Sequence, residues 1–263
     1  MAGRFATLPM YDPPELHQAN DALWRAVAER LVAGGLRNVP EQLTRSDNLQ
    51  ELWLRDGLLL GQTCGYPLTT ELAGRFTVVA TPIYAAEGCE DAFHRSAVVV
   101  AAESPFEDLV DLRGKRCVIN DWTSNTGMNL LRALVAPLAE QGRFFASVAV
   151  SGSHRQSLTL VAEGAADIAA IDCVTLALLA RIDPSLTARI RILAWSALSP
   201  ALPFITARDT DPATLGLLRA ALDDVAADPA LLLGGVRHLP PEIYDDVLKY
   251  ERSAADQGYP RLA

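Results

Sequence analysis

Three times between residues 116 and 179 a short apolar run ends in a polar turn and gives way to helical apolar spacing. The first run, Arg116-Cys117-Val118-Ile119-Asn120, leads into Thr123-Ser124-Asn125-Thr126-Gly127-Met128-Asn129 and then into the helical pattern of residues 130–135. The second, Val148-Ala149-Val150, is followed by Ser151-Gly152-Ser153-His154 and by residues 156–164, where Gly164 is placed to end a short helix. The third, residues 166–171, ends in Asp172 before a helix from Val174. Strands alternating with helices define an α/β fold. The polar turns then fall at the carboxyl ends of successive strands, the edge at which open α/β sheets bind ligands.

The chemistry of the first turn narrows the ligand. A helix start offers backbone N–H groups at the positive end of its dipole, here beside the hydroxyls of Thr123, Ser124 and Thr126. That suits a tetrahedral oxyanion or a carboxylate. The turn lacks the lysine of a nucleotide P-loop and the glycine spacing of a dinucleotide fingerprint. Ser, Thr and Asn also cap ordinary helices, so one such turn decides little, whereas three in phase point to a site. His154 reads either as a surface histidine in a first helical turn or as a donor whose pKa a bound anion would raise. Asp172 would repel an anion. It suits a ligand that also carries an amine, or it caps its helix.

Five segments, taken together, carry a family resemblance. They are Gly61-Gln62-Thr63-Cys64-Gly65-Tyr66-Pro67-Leu68, Thr81-Pro82-Ile83-Tyr84, Ser124-Asn125-Thr126-Gly127-Met128-Asn129, Gly152-Ser153-His154 and Ala170-Ile171-Asp172. In order and spacing, over roughly residues 5–207, they resemble the phosphate/phosphite/phosphonate-type solute-binding proteins of ABC transporters. The resemblance implies a type II periplasmic-binding-protein fold: two α/β lobes, each a mixed sheet flanked by helices, joined by two crossings. It further implies a small anionic ligand in an interlobe cleft, closure of the lobes, an ABC permease as partner, and no cofactor. Carried over by position, it assigns the ligand to Ser124, Asn125, Thr126, Gly127, Ser153, His154 and Asp172, with Tyr11, Tyr66 and Tyr84 facing them from the opposite lobe. Read from the residues alone, those tyrosines are either strand-end groups facing a cleft or core aromatics. Asn125 departs from the family pattern, placing an amide where a hydroxyl is usual.

Composition limits the alternatives. With 263 residues, half of them hydrophobic, the chain can core one large domain or two lobes. A formal net charge of -9 argues against nucleic acid and anionic membrane surfaces, without excluding an anion held by local donors. No apolar run is long enough for a membrane span. The first ten residues lack an apolar signal-peptide core and a cleavage site, so the sequence as written is expected in the cytoplasm, and in the periplasm if it is a mature fragment. His17, His94, His154 and His238 do not stand at metal-ligand spacing and no CxxC occurs, so no metal site is expected. Cys117 and Cys173 read as buried thiols, and a Cys64–Cys89 disulfide would favour export.

The rest of the chain supplies the expected frame. Residues 5–10, 58–60 and 77–80 read as strands, and Pro14 starts a helix to about Gly34 with Leu16, Ala19, Leu23, Val27 and Leu31 on one face. Residues 97–101 are expected to cross between lobes and 202–206 to return, with helices over 215–226 and 243–255 docking on the first lobe. This gives 1–98 plus 203–263 as one lobe and 99–202 as the other. A ligand sensor would share the same binding chemistry, and the competing function is a cytoplasmic enzyme on the same bilobal fold, of the kind found in menaquinone or thiamine-pyrimidine biosynthesis. No Ser-His-Asp order, carboxylate pair or metal cluster supports it; His154 with Asp172 is the acid/base pair it would use.

Overall fold

The structure, a computed structural model, describes residues 3–46, 48–225 and 227–263. In chain order they form β1 (Phe5–Thr7), α1 (His17–Ala33), α2 (Leu49–Leu54), β2 (Leu58–Gln62), α3 (Gly65–Thr69) and β3 (Phe76–Tyr84). Then follow β4 (Phe93–His94), β5 (Ser96–Ala101), β6 (Arg116–Ile119), α4 (Leu130–Val135), β7 (Ser147–Val150) and α5 (His154–Ala162). Next come β8 (Ile168–Asp172), α6 (Cys173–Ile182), α7 (Pro184–Thr187), β9 (Ile190–Trp195) and β10 (Ser199–Pro200). The chain ends with β11 (Phe204–Ala207), α8 (Pro212–Val225), β12 (Leu233–Arg237) and α9 (Asp245–Asp256).

These elements pack as two units, one of the residues up to Ala85 with Pro200–Ile243, the other of Ala86–Ser199 with Tyr244–Ala263. The expected boundaries near residues 98 and 202 thus become Ala85/Ala86 and Ser199/Pro200, and a third falls at Ile243/Tyr244.

The first unit holds a sheet of order β1-β2-β11-β3-β12, in which β1 and β2 are parallel and β11 and β12 are antiparallel to their neighbours. Helix α1 buries Leu23, Trp24, Val27 and Leu31 along one stripe and packs on α8. Strand β1 stops at Thr7 instead of residue 10, because Pro9 has no N–H for a ladder and opens a 3₁₀ turn, Pro9–Tyr11. The expected helix over 215–226 is α8, ending at Val225; Ala226 lies outside the described residues, as do Met1 and Ala2.

The second unit holds a sheet of order β7-β6-β8-β5-β9. Strands β7, β6 and β8 run parallel, and β5 is antiparallel to β8 and β9. Residues 97–101 therefore do not cross between units. They are β5, flanked by strands on both sides and buried from Ser96 to Val100, which is why the run is continuously apolar. Val99, Val118, Leu158, Val161, Ala169, Ile171 and Leu179 share the core over which α5 and α6 lie. Helix α9 also belongs here, packed on α4, where the sequence pattern placed it on the first lobe. An amphipathic stripe says that a helix docks, not on which partner. Beyond α9, the Ala263 carbonyl accepts the N–H groups of Phe144 (2.7 Å) and Phe145 (2.9 Å), tying this segment into the second unit. Among the described residues no helix is long and apolar enough to cross a membrane.

Candidate functional site

Because β6, β7 and β8 are parallel neighbours, their carboxyl ends share one edge of the second sheet, and a helix starts beyond each. All three starts carry a side-chain cap. Ser124 Oγ accepts the Gly127 N–H at 2.9 Å, Ser153 Oγ accepts that of Gln156 at 3.1 Å, and Asp172 Oδ1 accepts that of Thr175 at 2.9 Å. Ser124 and Thr126 are buried, Ser153 is exposed and His154 is half-buried.

The first start is not a simple α-helix. Asn125–Asn129 forms one π-helical turn, with Asn129 N–H bonding back to the Ser124 carbonyl at 3.1 Å, before α4 begins. Gly127 is required by a close approach, since a Cβ there would fall 1.7 Å from Asn120 Oδ1. The Thr126 carbonyl is pinned from β5 by the Ser96 hydroxyl at 2.6 Å. Its own hydroxyl lies 3.3 Å from His154 Nε2, so the first and second turns meet through this pair. Burial holds the His154 pKa below its ordinary value, opposed by Asp172 and reinforced by His94. A neutral imidazole can donate from one nitrogen and accept at the other.

Asn125 is placed differently from the hydroxyls around it. Its amide donates to Ser199 Oγ at 2.9 Å and accepts from Asn129 Nδ2 at 3.0 Å. Asn129 continues the chain of bonds to the Val247 carbonyl and to Arg132, which reaches the Pro260 carbonyl. The amide at this position thus anchors the C-terminal segment beneath the turn.

Asp172 is the clearest gain from structure. Its Oδ2 lies 2.9 Å from His94 Nδ1, with both side chains almost fully buried. Burial disfavours the charge on each, yet their mutual attraction outweighs it, leaving the His94 pKa above and the Asp172 pKa below the ordinary value. The carboxylate has a helix to cap and a cation beside it. His94 was overlooked in the sequence because it precedes β5. Only the antiparallel register Ser96↔Asp172 brings the two together, and no spacing between residues 94 and 172 announces that pairing. Ser96 was missed for the same reason, and Asn129 and Arg132 because their partners Val247 and Pro260 come from the C-terminal segment.

In the first unit, Tyr11 and Tyr84 are buried against each other, ring centroids 5.2 Å apart and nearly perpendicular, and Gln62 donates to the Tyr84 hydroxyl at 2.9 Å. Tyr66 is half-buried in the first turn of α3. The Cys64–Cys89 disulfide that the sequence left open is not formed, none of the four cysteines being in a disulfide, and the neighbour of Cys89 is Cys173, Sγ to Sγ 3.5 Å. Of the tryptophans, Trp24 and Trp53 are core residues, while Trp122, next to the Ser124 turn, is exposed.

Solved structures share this architecture over nearly the whole chain. XAC2383 from Xanthomonas citri, bound to ATP, matches 98% of this chain and 98% of its own with a TM-score of 0.72 at 17% identity. PhnD1 from Prochlorococcus marinus (MIT 9301), in complex with methylphosphonate, covers 96% of this chain and 98% of its own, with a TM-score of 0.75 at 12% identity. A binding protein component of an ABC phosphonate transporter (PA3383) from Pseudomonas aeruginosa covers 97% and 87%, with a TM-score of 0.74 at 12% identity. No curated protein matches the chain in sequence. The fold is that of the type II periplasmic binding proteins. Over residues 5–233 the chain matches the family described as "ABC transporter, phosphonate, periplasmic substrate-binding protein", and it belongs to that family. This is a solute-binding component of ABC transporters, periplasmic as a family, and not an enzyme. A small-molecule ligand and a permease partner follow from that membership.

Proposed function

We propose that the solute is a small oxyanion, a phosphonate or phosphate-like compound, held at the edge formed by β6, β7 and β8. Ser124, Thr126 and the N–H groups around Gly127 take its oxygens, with Ser153 and His154 adding donors. The observation that carries this reading is the Thr126–His154 contact, which joins two capped helix starts into one donor cluster. Ser124 Oγ already accepts from Gly127 N–H, so its hydroxyl proton is left to donate. Asp172 does not select for an ammonium group on the ligand, because its charge is met by His94.

The test is calorimetric titration of the purified protein with methylphosphonate, aminomethylphosphonate, inorganic phosphate and ATP. Ser124→Ala and Thr126→Val should each weaken the best ligand about ten- to a hundredfold, the worth of one charge-assisted hydrogen bond. Unchanged affinity in both variants would overturn the assignment. Tighter binding of ATP than of any phosphonate would overturn the ligand class.

A further inference from the structure

Two of the free cysteines meet across 84 residues of chain, with Cys89 Sγ 3.5 Å from Cys173 Sγ. The approach is built into the backbone. Residues 86–89 form a tight turn, closed by the Cys89 N–H on the Ala86 carbonyl at 3.0 Å. Gly88 within it has φ +89, and a Cβ there would meet Cys173 Cβ at 3.1 Å and Trp195 Cζ3 at 2.6 Å. Only glycine lets this turn lie so close to the first residue of α6. Cys173 is fixed in turn, its N–H donating to the Arg95 carbonyl at 3.2 Å. The two thiols differ in access: Cys173 is buried, whereas Cys89 is half-exposed.

We propose that Cys89 and Cys173 are a redox pair that closes to a disulfide in an oxidising compartment, locking the 86–89 turn onto the start of α6. The sulfurs need to approach by only about 1.5 Å to reach bonding distance. The oxidant is a small-molecule disulfide. The Cys89 thiolate attacks one of its sulfurs, forming a mixed disulfide and expelling one thiolate. Cys173 then gives up its proton and attacks Cys89 Sγ, expelling the second. Two protein thiols and one disulfide become one protein disulfide and two small thiols, which carry off both protons and both electrons. The order of attack follows from the surroundings. The hydrogen bond from Cys173 holds the Cys89 pKa below the ordinary value, while the same contact and then burial push Cys173 up.

The experiment treats the intact protein with oxidised glutathione. Free thiols counted after denaturation should fall from four to two, and the intact mass should drop by two hydrogens. Digestion should yield one linked peptide pair, joining Cys89 to Cys173. The oxidised protein should melt higher than the reduced one and return to the lower midpoint with dithiothreitol, since a cross-link restricts the unfolded chain. Cys89→Ser should lose both the link and the shift, and Cys64→Ser should keep both. Four persisting thiols, a glutathione adduct that never resolves, or a link through Cys64 or Cys117 would overturn the proposal.

Discussion

Replacing Asp172 by asparagine separates the roles that this residue can have. Asparagine caps a helix about as well as aspartate, so the bond to Thr175 N–H survives and only the charge is lost. His94, almost fully buried 2.9 Å away, then faces an amide in place of a carboxylate. Removing one partner of a buried ion pair costs about 3–5 kcal/mol when the other stays charged. His94 can escape by releasing its proton, which costs about 1.4 kcal/mol per pH unit below its folded pKa. Where His94 keeps its proton the expected loss is therefore about 3–5 kcal/mol, a fall in melting temperature of roughly 6–20 °C for a chain of this size. Asp172→Ala should lose about 1 kcal/mol more, the value of the cap. The pH dependence has a definite sign. The Asp172 pKa is lowered from 3.8 and the His94 pKa raised from 6.5, so the pair contributes fully between those values. Its contribution is lost as pH falls through the lowered Asp172 pKa, and lost as pH rises through the raised His94 pKa. Calorimetric melts of wild type, Asp172→Asn, His94→Gln and the double variant across that range measure the coupling directly. An Asp172→Asn protein that melts with the wild type at pH 6, or additive single variants, would refute the pairing. A selective loss of aminomethylphosphonate relative to methylphosphonate would show instead that Asp172 reads the ligand.

Other outcomes follow from the same geometry. Gly127→Ala should weaken methylphosphonate at least tenfold by titration, because its Cβ displaces Asn120, and adding Asn120→Gly should restore part of the loss. The lowered His154 pKa means that stability falls as pH drops below 6.5, where the unfolded chain takes up a proton that the folded one resists; melts of His154→Gln at pH 7.5 and 5.5 should show a smaller difference than wild type. Arg132→Leu leaves the Asn129 and Pro260 oxygens unmet, and should lower the melting temperature by several degrees and speed proteolysis of the C-terminal segment.

What the sequence disclosed was local. The cap at Ser124, the glycine stop after α5 and the strand–turn–helix rhythm are short-range signals, and each stands in the structure. What it withheld depended on antiparallel returns and docking. The run at 97–101 looks like any buried strand, and its neighbours are chosen by topology rather than by its own residues. Hence His94 escaped notice although Asp172 did not. Asn125 illustrates a second limit. Its position in the turn was plain, but an amide can face a ligand or the interior, and here it meets the buried Asn129 of its own turn and the buried Ser199, supplied from 74 residues further along the chain. The Cys89–Cys173 contact likewise depends on how the 86–89 turn folds back, which no cysteine spacing encodes.

The chain order of the strands has a consequence for synthesis on the ribosome. In the first sheet β11, residues 204–207, lies between β2 and β3, so those two cannot be bridged until more than three-quarters of the chain exists. The second unit waits longer, because Phe144 and Phe145 find their carbonyl partner only at Ala263. Until β11 is made, β2 and β3 each leave an unpaired edge in the growing chain. A nascent chain of this kind is a natural client for factors that hold polypeptides open.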